Sequence, residues 1–188
     1  MVAAAALMFR SRGYDATSMN AIGAEAGISG PSIYYYFPSK TELLFECLFE
    51  PMRRQVEECR SASVGRTPDE AVAAFVRTIV TFVLDVLITQ RMHGDTYVSM
   101  GVLAKSLPDE QRHLLLSLIH NHVRDLRDII AAGTAEGVFR AVDPTPAAFA
   151  VMAIAENVTW FRPDGRLSKD ALADLYAGFA VDMLRLQA

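Results

Sequence analysis

A short helix confined between two fixed boundaries is the sequence feature that most limits how this chain can fold. Gly27 can adopt the positive φ of a tight turn, and Ser29 can cap a helix that begins directly after it. Pro38 pushes the residue before it, Phe37, out of the helical region and so ends that helix. Residues 30–36 are therefore predicted to form a helix of about two turns.

A second short helix precedes this turn. Thr17 and Ser18 can cap it. It is predicted to run to about Ala26, with Ile22 on its inward side. Two short helices joined by a tight turn form a helix-turn-helix, in which the second helix enters the major groove of DNA. The pattern therefore predicts that residues 30–36 bind DNA.

The rest of the chain carries the signals of longer helices. Hydrophobic residues make up 52% of the 188 residues and recur at helical spacing, and no stretch alternates with the period of a strand. Capping boxes at Ser39–Glu42 and Thr67–Glu70 mark two helix starts. The fold class is therefore all-α, with about nine helices predicted at roughly 3–12, 18–26, 30–36, 39–61, 67–87, 93–103, 108–133, 143–160 and 168–184.

Helix length changes near the fourth predicted helix. Three short helices with tight turns come before it, and longer apolar helices follow it. We therefore expect a helix-turn-helix head over residues 1–47 and a body of longer helices over residues 48–188. Pro51 falls inside the fourth helix, where it is expected to introduce a kink or a break.

The tip of the predicted recognition helix consists of small residues. Gly30, Pro31 and Ser32 let the helix approach DNA closely, but they offer few hydrogen-bonding arms. Base reading, shared with Tyr34, would therefore depend on the backbone, the Ser32 hydroxyl, contacts with thymine methyl groups and the shape of the DNA.

Phosphate contacts are predicted around this tip. Tyr35 and Tyr36 can reach phosphates without bringing charge, and Lys40 adds a cation. The alternative is that the tyrosines only pack, but a helix cannot bury three adjacent side chains on one face, so at least one is exposed. The predicted DNA-binding residues are Thr17, Ser18, Ser29, Gly30, Pro31, Ser32, Tyr34, Tyr35, Tyr36 and Lys40.

Residues 3–48 resemble the DNA-binding domain of the TetR (tetracycline repressor) family of transcriptional regulators. The resemblance implies a homodimer that pairs through its last two helices, binds a double-stranded DNA operator and responds to a small effector. It therefore implies that the body, residues 48–188, is an effector-binding and dimerisation domain. It implies a repressor that the effector releases, although the sequence leaves open whether the effector releases DNA or promotes its binding. The matching segments are Phe9, Gly13-Tyr14, Thr17-Ser18-Met19, Ile22, Ala26-Gly27-Ile28-Ser29, Ile33–Lys40 and Leu43-Leu44.

The charge of the head departs from the pattern of that family. Residues 1–50 carry three cations against five carboxylates, a net charge of −2, and the whole chain carries −4. Members usually have several residues, often including Arg or Lys, before their first helix, whereas the first predicted helix here begins almost at Met1. We expect a natural N-terminal arm to be missing from this sequence; without one, DNA affinity should be weak and limited by salt.

A second resemblance lies at residues 160–168, which read Trp-Phe-Arg-Pro-Asp-Gly-Arg-Leu-Ser. They are similar to a Trp-x-Arg-Pro-x-Gly-x-Leu-Ser segment of TetR-type regulators of fatty-acid and steroid catabolism, which respond to acyl-CoA thioesters. The resemblance implies a CoA-thioester effector. A turn at Pro163 and Gly165, followed by a helix cap at Ser168, accounts for the same residues structurally, so both interpretations stay open.

A CoA thioester would need an apolar tunnel for its acyl part and cations for its phosphates. The candidate pocket residues are Met92, His93, Tyr97, Met100, Trp160 and Arg162. The apolar ones could equally belong to the core, and the arginine to the surface. His113, His120 and His122 share one predicted helix without metal-ligand spacing and are interpreted as satisfied or surface imidazoles.

Other functional classes lack their signals. No zinc-protease, phosphate-loop or catalytic-triad pattern is present, so we predict no enzyme, no metal and no cofactor. Cys47 and Cys59 form no disulfide framework, which fits a reducing cytoplasmic location, and no apolar run is long enough for a membrane span. The remaining alternative is an all-helical ligand-binding module without a DNA-binding role, which the acidic head favours.

Overall fold

The computed structural model describes residues 1–90, 100–160 and 166–185, and within these ranges the chain forms nine α-helices and no strand. The predicted all-α class is confirmed. The helices are α1 Val2–Arg12, α2 Met19–Glu25, α3 Gly30–Tyr36, α4 Lys40–Ser63, α5 Pro68–Gln90, α6 Met100–Ala104, α7 Asp109–Ala135, α8 Pro144–Glu156 and α9 Lys169–Leu184.

The fourth helix passes through Pro51 without the break that the sequence allowed. Pro51 has no N–H to donate, so the helix loses one hydrogen bond at that point. Leu48 and Met52, close to Pro51 on the same helix, are buried, and tertiary packing of this kind stabilises helices in proteins. α4 therefore runs unbroken from Lys40 to Ser63.

Two other predicted boundaries differ. The sequence predicts a helix over residues 93–103. Residues 91–99 lie outside the described residues, and the helix that the structure describes here is α6, Met100–Ala104. The eighth helix ends at Glu156 and a 3-10 turn, Asn157–Trp160, follows. The Asn157 side chain donates to the Ala153 carbonyl at 2.7 Å, a local bond that accompanies the end of the regular helix.

The chain divides into two compact units. The first comprises residues 1–53 together with the described part of 95–118. Phe9, Ile22, Ile33 and Leu43, one from each of the first four helices, are fully buried in it. This burial fixes which side of each short helix faces inward, and it leaves the opposite side of α3 exposed to solvent.

Gly23 shapes the turn in this first unit. The residue is buried, and a Cβ added there would lie 3.2 Å from the Ile28 carbonyl oxygen. The Ile28 N–H donates to the Gly23 carbonyl at 2.9 Å, so the turn closes directly on this glycine. A glycine that weakens helix propensity in α2 thus allows a close approach of the backbone.

The second unit comprises residues 54–94 and 119–188, so far as they are described. α5 packs against α8 and α9, and its residues Phe75, Val76, Ile79 and Val80 are at most 1% exposed, so it is the central buried helix of this unit. These residues belong to the hydrophobic core of this unit, whose burial stabilises it.

Candidate nucleic-acid interface

The helix that follows the glycine turn presents its aromatic residues to solvent. Tyr34, Tyr35 and Tyr36 are 50%, 86% and 62% exposed, whereas Ile33 is fully buried. The rings of Tyr35 and Tyr36 meet edge to face with centroids 5.4 Å apart. Three adjacent exposed tyrosines cannot be explained by packing within this chain, which removes the packing alternative for their side chains.

Local chemistry fixes where this helix begins and ends. Gly27 adopts φ 70°, and Ser29 caps α3 by accepting from the Ser32 N–H at 3.4 Å. The hydroxyls of Ser29 and Ser32 are 2.7 Å apart at the exposed tip, next to the exposed Pro31. Gly30 is the first residue of α3, so the small-residue tip lies where the prediction placed it.

Lys40 holds the start of α4 against the turn between α1 and α2. Its ammonium donates to the carbonyls of Tyr14 and Thr17 at 2.9 and 3.0 Å, and it lies 4.1 Å from the centroid of the Tyr14 ring. The hydroxyls of Tyr14 and Thr41 are 3.0 Å apart and make a second link. The sequence predicts only that the Lys40 ammonium contacts a DNA phosphate. The structure shows that this side chain also holds parts of the head in position.

Thr17 does not present its side chain for a phosphate contact. The residue is 1% exposed, and its hydroxyl donates to the Gly13 carbonyl at 2.8 Å. The expected contact of this side chain with DNA is therefore withdrawn. Its neighbour Ser18 is exposed and caps α2 by accepting from the Ala21 N–H at 3.2 Å.

The surface charge of the head is not basic. Arg10 is only 7% exposed, so among the three cations of residues 1–50 it contributes least to the surface. Arg12 is exposed in the last turn of α1, and Glu25 and Glu42 are exposed carboxylates. Attraction of DNA phosphates to this head therefore depends on hydrogen bonds more than on net charge.

Most of the predicted effector contacts fall where the structure gives no description. Met92, His93, Tyr97 and Arg162 lie outside the described residues. Met100 is half-buried at the start of α6. Trp160 ends the 3-10 turn, and only its backbone is described.

His122, in the second unit, differs from its prediction as a satisfied or surface imidazole. His122 is 1% exposed, and neither of its ring nitrogens has a hydrogen-bond partner among the described residues, so it is neither a surface nor a satisfied imidazole. A signal for its burial was available, because it lies seven residues after Leu115 and four before Leu126, both fully buried on α7. Burial lowers the pKa of His122 to about 4, although nearby Asp125 opposes the shift.

Among the residues that the structure describes, no group of three or more His, Cys, Asp or Glu side chains is placed to hold a metal ion. None of the helices in the described ranges is long and apolar enough to cross a membrane.

Two family profiles match this chain. Residues 1–47 match "Bacterial regulatory proteins, tetR family", and residues 65–184 match "Tetracyclin repressor-like, C-terminal domain". The second match alone covers more than half of the chain. The resemblance inferred from residues 3–48 is thereby confirmed and extended to the body.

Individual relatives agree with the profiles. The HTH-type transcriptional repressor KstR2 of Rhodococcus jostii is 26% identical over 183 residues, covering 96% of this chain and 87% of the relative. The TetR family regulator PfmR of Thermus thermophilus is 29% identical, with a TM-score of 0.82 over 100% of this chain and 98% of its own. AibR in complex with isovaleryl coenzyme A and operator DNA is 24% identical, with a TM-score of 0.76 over 98% and 95% of the two chains, and shows likeness of fold.

Proposed function

Because this chain belongs to the TetR family of bacterial regulatory proteins, we propose that it is a dimeric transcriptional repressor that binds operator DNA through α3 and is released by a CoA thioester. The observation that carries the proposal is the exposure of Tyr34, Tyr35 and Tyr36 on the second helix of a helix-turn-helix. Such a regulator would act in the cytoplasm, where its operator is.

We divide the DNA contacts into reading and positioning. Ser29, Gly30, Pro31 and Ser32 form the tip that enters the major groove, where the two hydroxyls are the available side-chain hydrogen-bonding groups. Tyr34 lies next to this tip and shares the base reading.

The positioning contacts come from the end of the helix and from its neighbours. Tyr35 and Tyr36 place their hydroxyls against phosphates on one side of the groove, and Ser18 reaches the opposite strand. An ammonium has three donors and Lys40 uses two of them on carbonyls, so the third is free for a phosphate while the side chain holds the head together.

An exposed apolar surface supports pairing through the last two helices. Phe149 on α8 and Leu175 and Phe179 on α9 are 57%, 42% and 51% exposed, which is unusual for side chains of this size. A second copy would cover them and form an interface with an apolar centre. Pairing would hold two heads about 34–36 Å apart, the separation of successive major grooves. We assign DNA binding to residues 1–47 and effector binding and dimerisation, with this surface, to residues 48–188. This functional division differs from the division into compact units, in which the described part of residues 95–118 belongs with residues 1–53.

Relatives support the choice of effector class. AibR is described in complex with isovaleryl coenzyme A and operator DNA, and KstR2 is described as a transcriptional repressor. An effector that prefers the conformation with another head separation lowers DNA affinity by its difference in affinity for the two states. α4 is continuous from Lys40 in the head to Ser63, so it provides a covalent connection for such a change.

Selection from random duplexes followed by titration tests this function. The protein should enrich a two-fold symmetric sequence and bind it with two protomers per site, and isovaleryl-CoA should weaken that binding. A steep loss of affinity with salt is expected from the phosphate contacts. Failure to enrich any sequence, with binding that does not respond to salt, would favour the alternative of a ligand-binding module without a DNA role.

A further inference from the structure

The His122 side chain is a buried polar group without a partner in the second unit. It is 1% exposed, and both Nδ1 and Nε2 lack a hydrogen bond to any described residue. Native proteins pair nearly all buried polar atoms, because an unpaired one loses its hydration without compensation. An apolar ring would fill the same space without that loss, so the imidazole at this position calls for a functional explanation.

The ring of His122 has one described aromatic contact, which fixes how it lies. One face stacks on Phe75 with centroids 4.7 Å apart and planes inclined by 23°. Both nitrogens lie on the ring edge, so a partner must approach along that edge. Burial holds the pKa of His122 near 4, so at neutral pH one nitrogen carries a hydrogen and donates while the other accepts.

The polar groups recorded with Phe75 and His122 among the described residues have other partners. The Cys59 thiol, which is fully buried, donates to the Phe75 carbonyl at 3.7 Å. The two charged groups that influence the imidazole, Arg60 and Asp125, pair with each other at 2.7 Å. A phosphate or carboxylate at this edge would be desolvated next to a neutral ring, whereas an uncharged carbonyl oxygen would accept its hydrogen bond at little cost.

We propose that His122 is an effector-binding residue whose ring N–H donates a hydrogen bond to the thioester carbonyl oxygen of a CoA thioester. This assignment rests on the proposed function and adds to it the group that recognises the acyl end. The stack on Phe75 fixes the orientation of the ring, so the donor is organised before the effector arrives.

The assignment is tested by removing the acceptor from the ligand and, separately, the donor from the protein. Isothermal titration would compare isovaleryl-CoA with S-(3-methylbutyl)-CoA, a thioether of the same shape that has no carbonyl. The wild type should bind the thioester about tenfold more tightly, the effect of one buried hydrogen bond. His122→Phe should bind both compounds equally, at the affinity of the wild type for the thioether. His120→Phe, an exposed position on the same helix, should keep the tenfold preference.

Each other outcome overturns the assignment. If His122→Phe keeps the preference for the thioester, His122 is not the donor although the effector class stands. If the wild type binds neither isovaleryl-CoA nor octanoyl-CoA, the effector class fails and the assignment fails with it. If His122→Phe and His122→Leu both melt well below the wild type without ligand, the imidazole is a structural group, because an unpaired group reserved for a ligand costs stability in its absence.

Discussion

His122 and Phe75 lie face to face in the second unit, with ring centroids 4.7 Å apart and ring planes inclined by 23°. The stack encloses the imidazole in apolar surroundings, and burial lowers its pKa from 6.5 to about 4. The buried His122 therefore makes the stability of the body depend on pH. Under our proposal, the same side chain also binds the effector.

The first prediction concerns acid stability. Above about pH 6.5 the imidazole is neutral in both the folded and the unfolded chain and adds no pH dependence. Between about pH 6.5 and 4 only the unfolded chain takes up a proton, so the free energy of unfolding falls as the pH falls, by an amount on the order of 3 kcal/mol. Asp125 raises the pKa of His122 and Arg60 lowers it. The variants compared in this experiment must therefore keep both residues.

Denaturant unfolding at several pH values between 7 and 4 measures this loss. His122→Phe should lack this part of the acid loss, while His120→Phe, exposed on the same helix, should retain it. Equal acid sensitivity of wild type and His122→Phe would show that this imidazole protonates without resistance in the folded chain.

The second prediction concerns Gly133, a buried residue of α7. A Cβ added there would overlap the ring of Phe139 and lie 2.8 Å from Cβ of Pro68. Gly133→Ala should therefore lower the free energy of unfolding by roughly 1–3 kcal/mol, the usual cost of overpacking. Gly101→Ala is the matched control, because a Cβ on that helical glycine has nothing within 4 Å. A Gly133→Ala protein as stable as the control would mean that the Phe139 ring moves aside freely.

The third prediction separates the two roles of Lys40. Lys40→Met removes the donors to the carbonyls of Tyr14 and Thr17, so hydrogen exchange in the turn between α1 and α2 should speed up. Head stability should fall by about 1 kcal/mol, because the side chain is partly exposed and water replaces part of the interaction. Faster exchange together with weaker DNA binding is expected. Weaker DNA binding with unchanged exchange would mean that Lys40 acts only on phosphate.

The fourth prediction concerns assembly. Phe179→Glu places a charge on the exposed apolar surface of α9 and should convert the dimer to monomers in sedimentation velocity experiments, because a carboxylate would be buried unpaired. Val102→Glu, at a 54% exposed residue of α6, is the control and should leave the dimer intact. A Phe179→Glu protein that remains dimeric would place the interface elsewhere.

The structure also shows which features can be predicted from the sequence. The bounds of α3 are predicted correctly because their determinants, Gly27, Ser29 and Pro38, act on the residues next to them. The predicted role of Lys40 is incomplete because its carbonyl partner on Tyr14 lies 26 residues away, and no local pattern reports that distance.

The direction in which a polar side chain points is also predicted poorly from the sequence. Thr17 resembles a helix cap with a free hydroxyl, but the hydroxyl turns inward to the Gly13 carbonyl. His122 is predicted to be at the surface or satisfied, although its spacing to Leu115 and Leu126 puts it on the buried stripe. Periodicity indicates which face a residue occupies, but it does not tell whether a buried polar group finds a partner.

The most direct test of DNA binding by α3 is the affinity of the protein for its selected operator with and without the exposed tyrosines. Fluorescence anisotropy would compare the wild type with a Tyr35→Ala, Tyr36→Ala double variant. Val64→Ala, at a residue 75% exposed after α4, is the control. We predict at least a roughly tenfold loss of operator affinity for the double variant, an unchanged melting temperature and no change for the control. Operator affinity equal to that of the wild type would contradict the claim that α3 binds DNA.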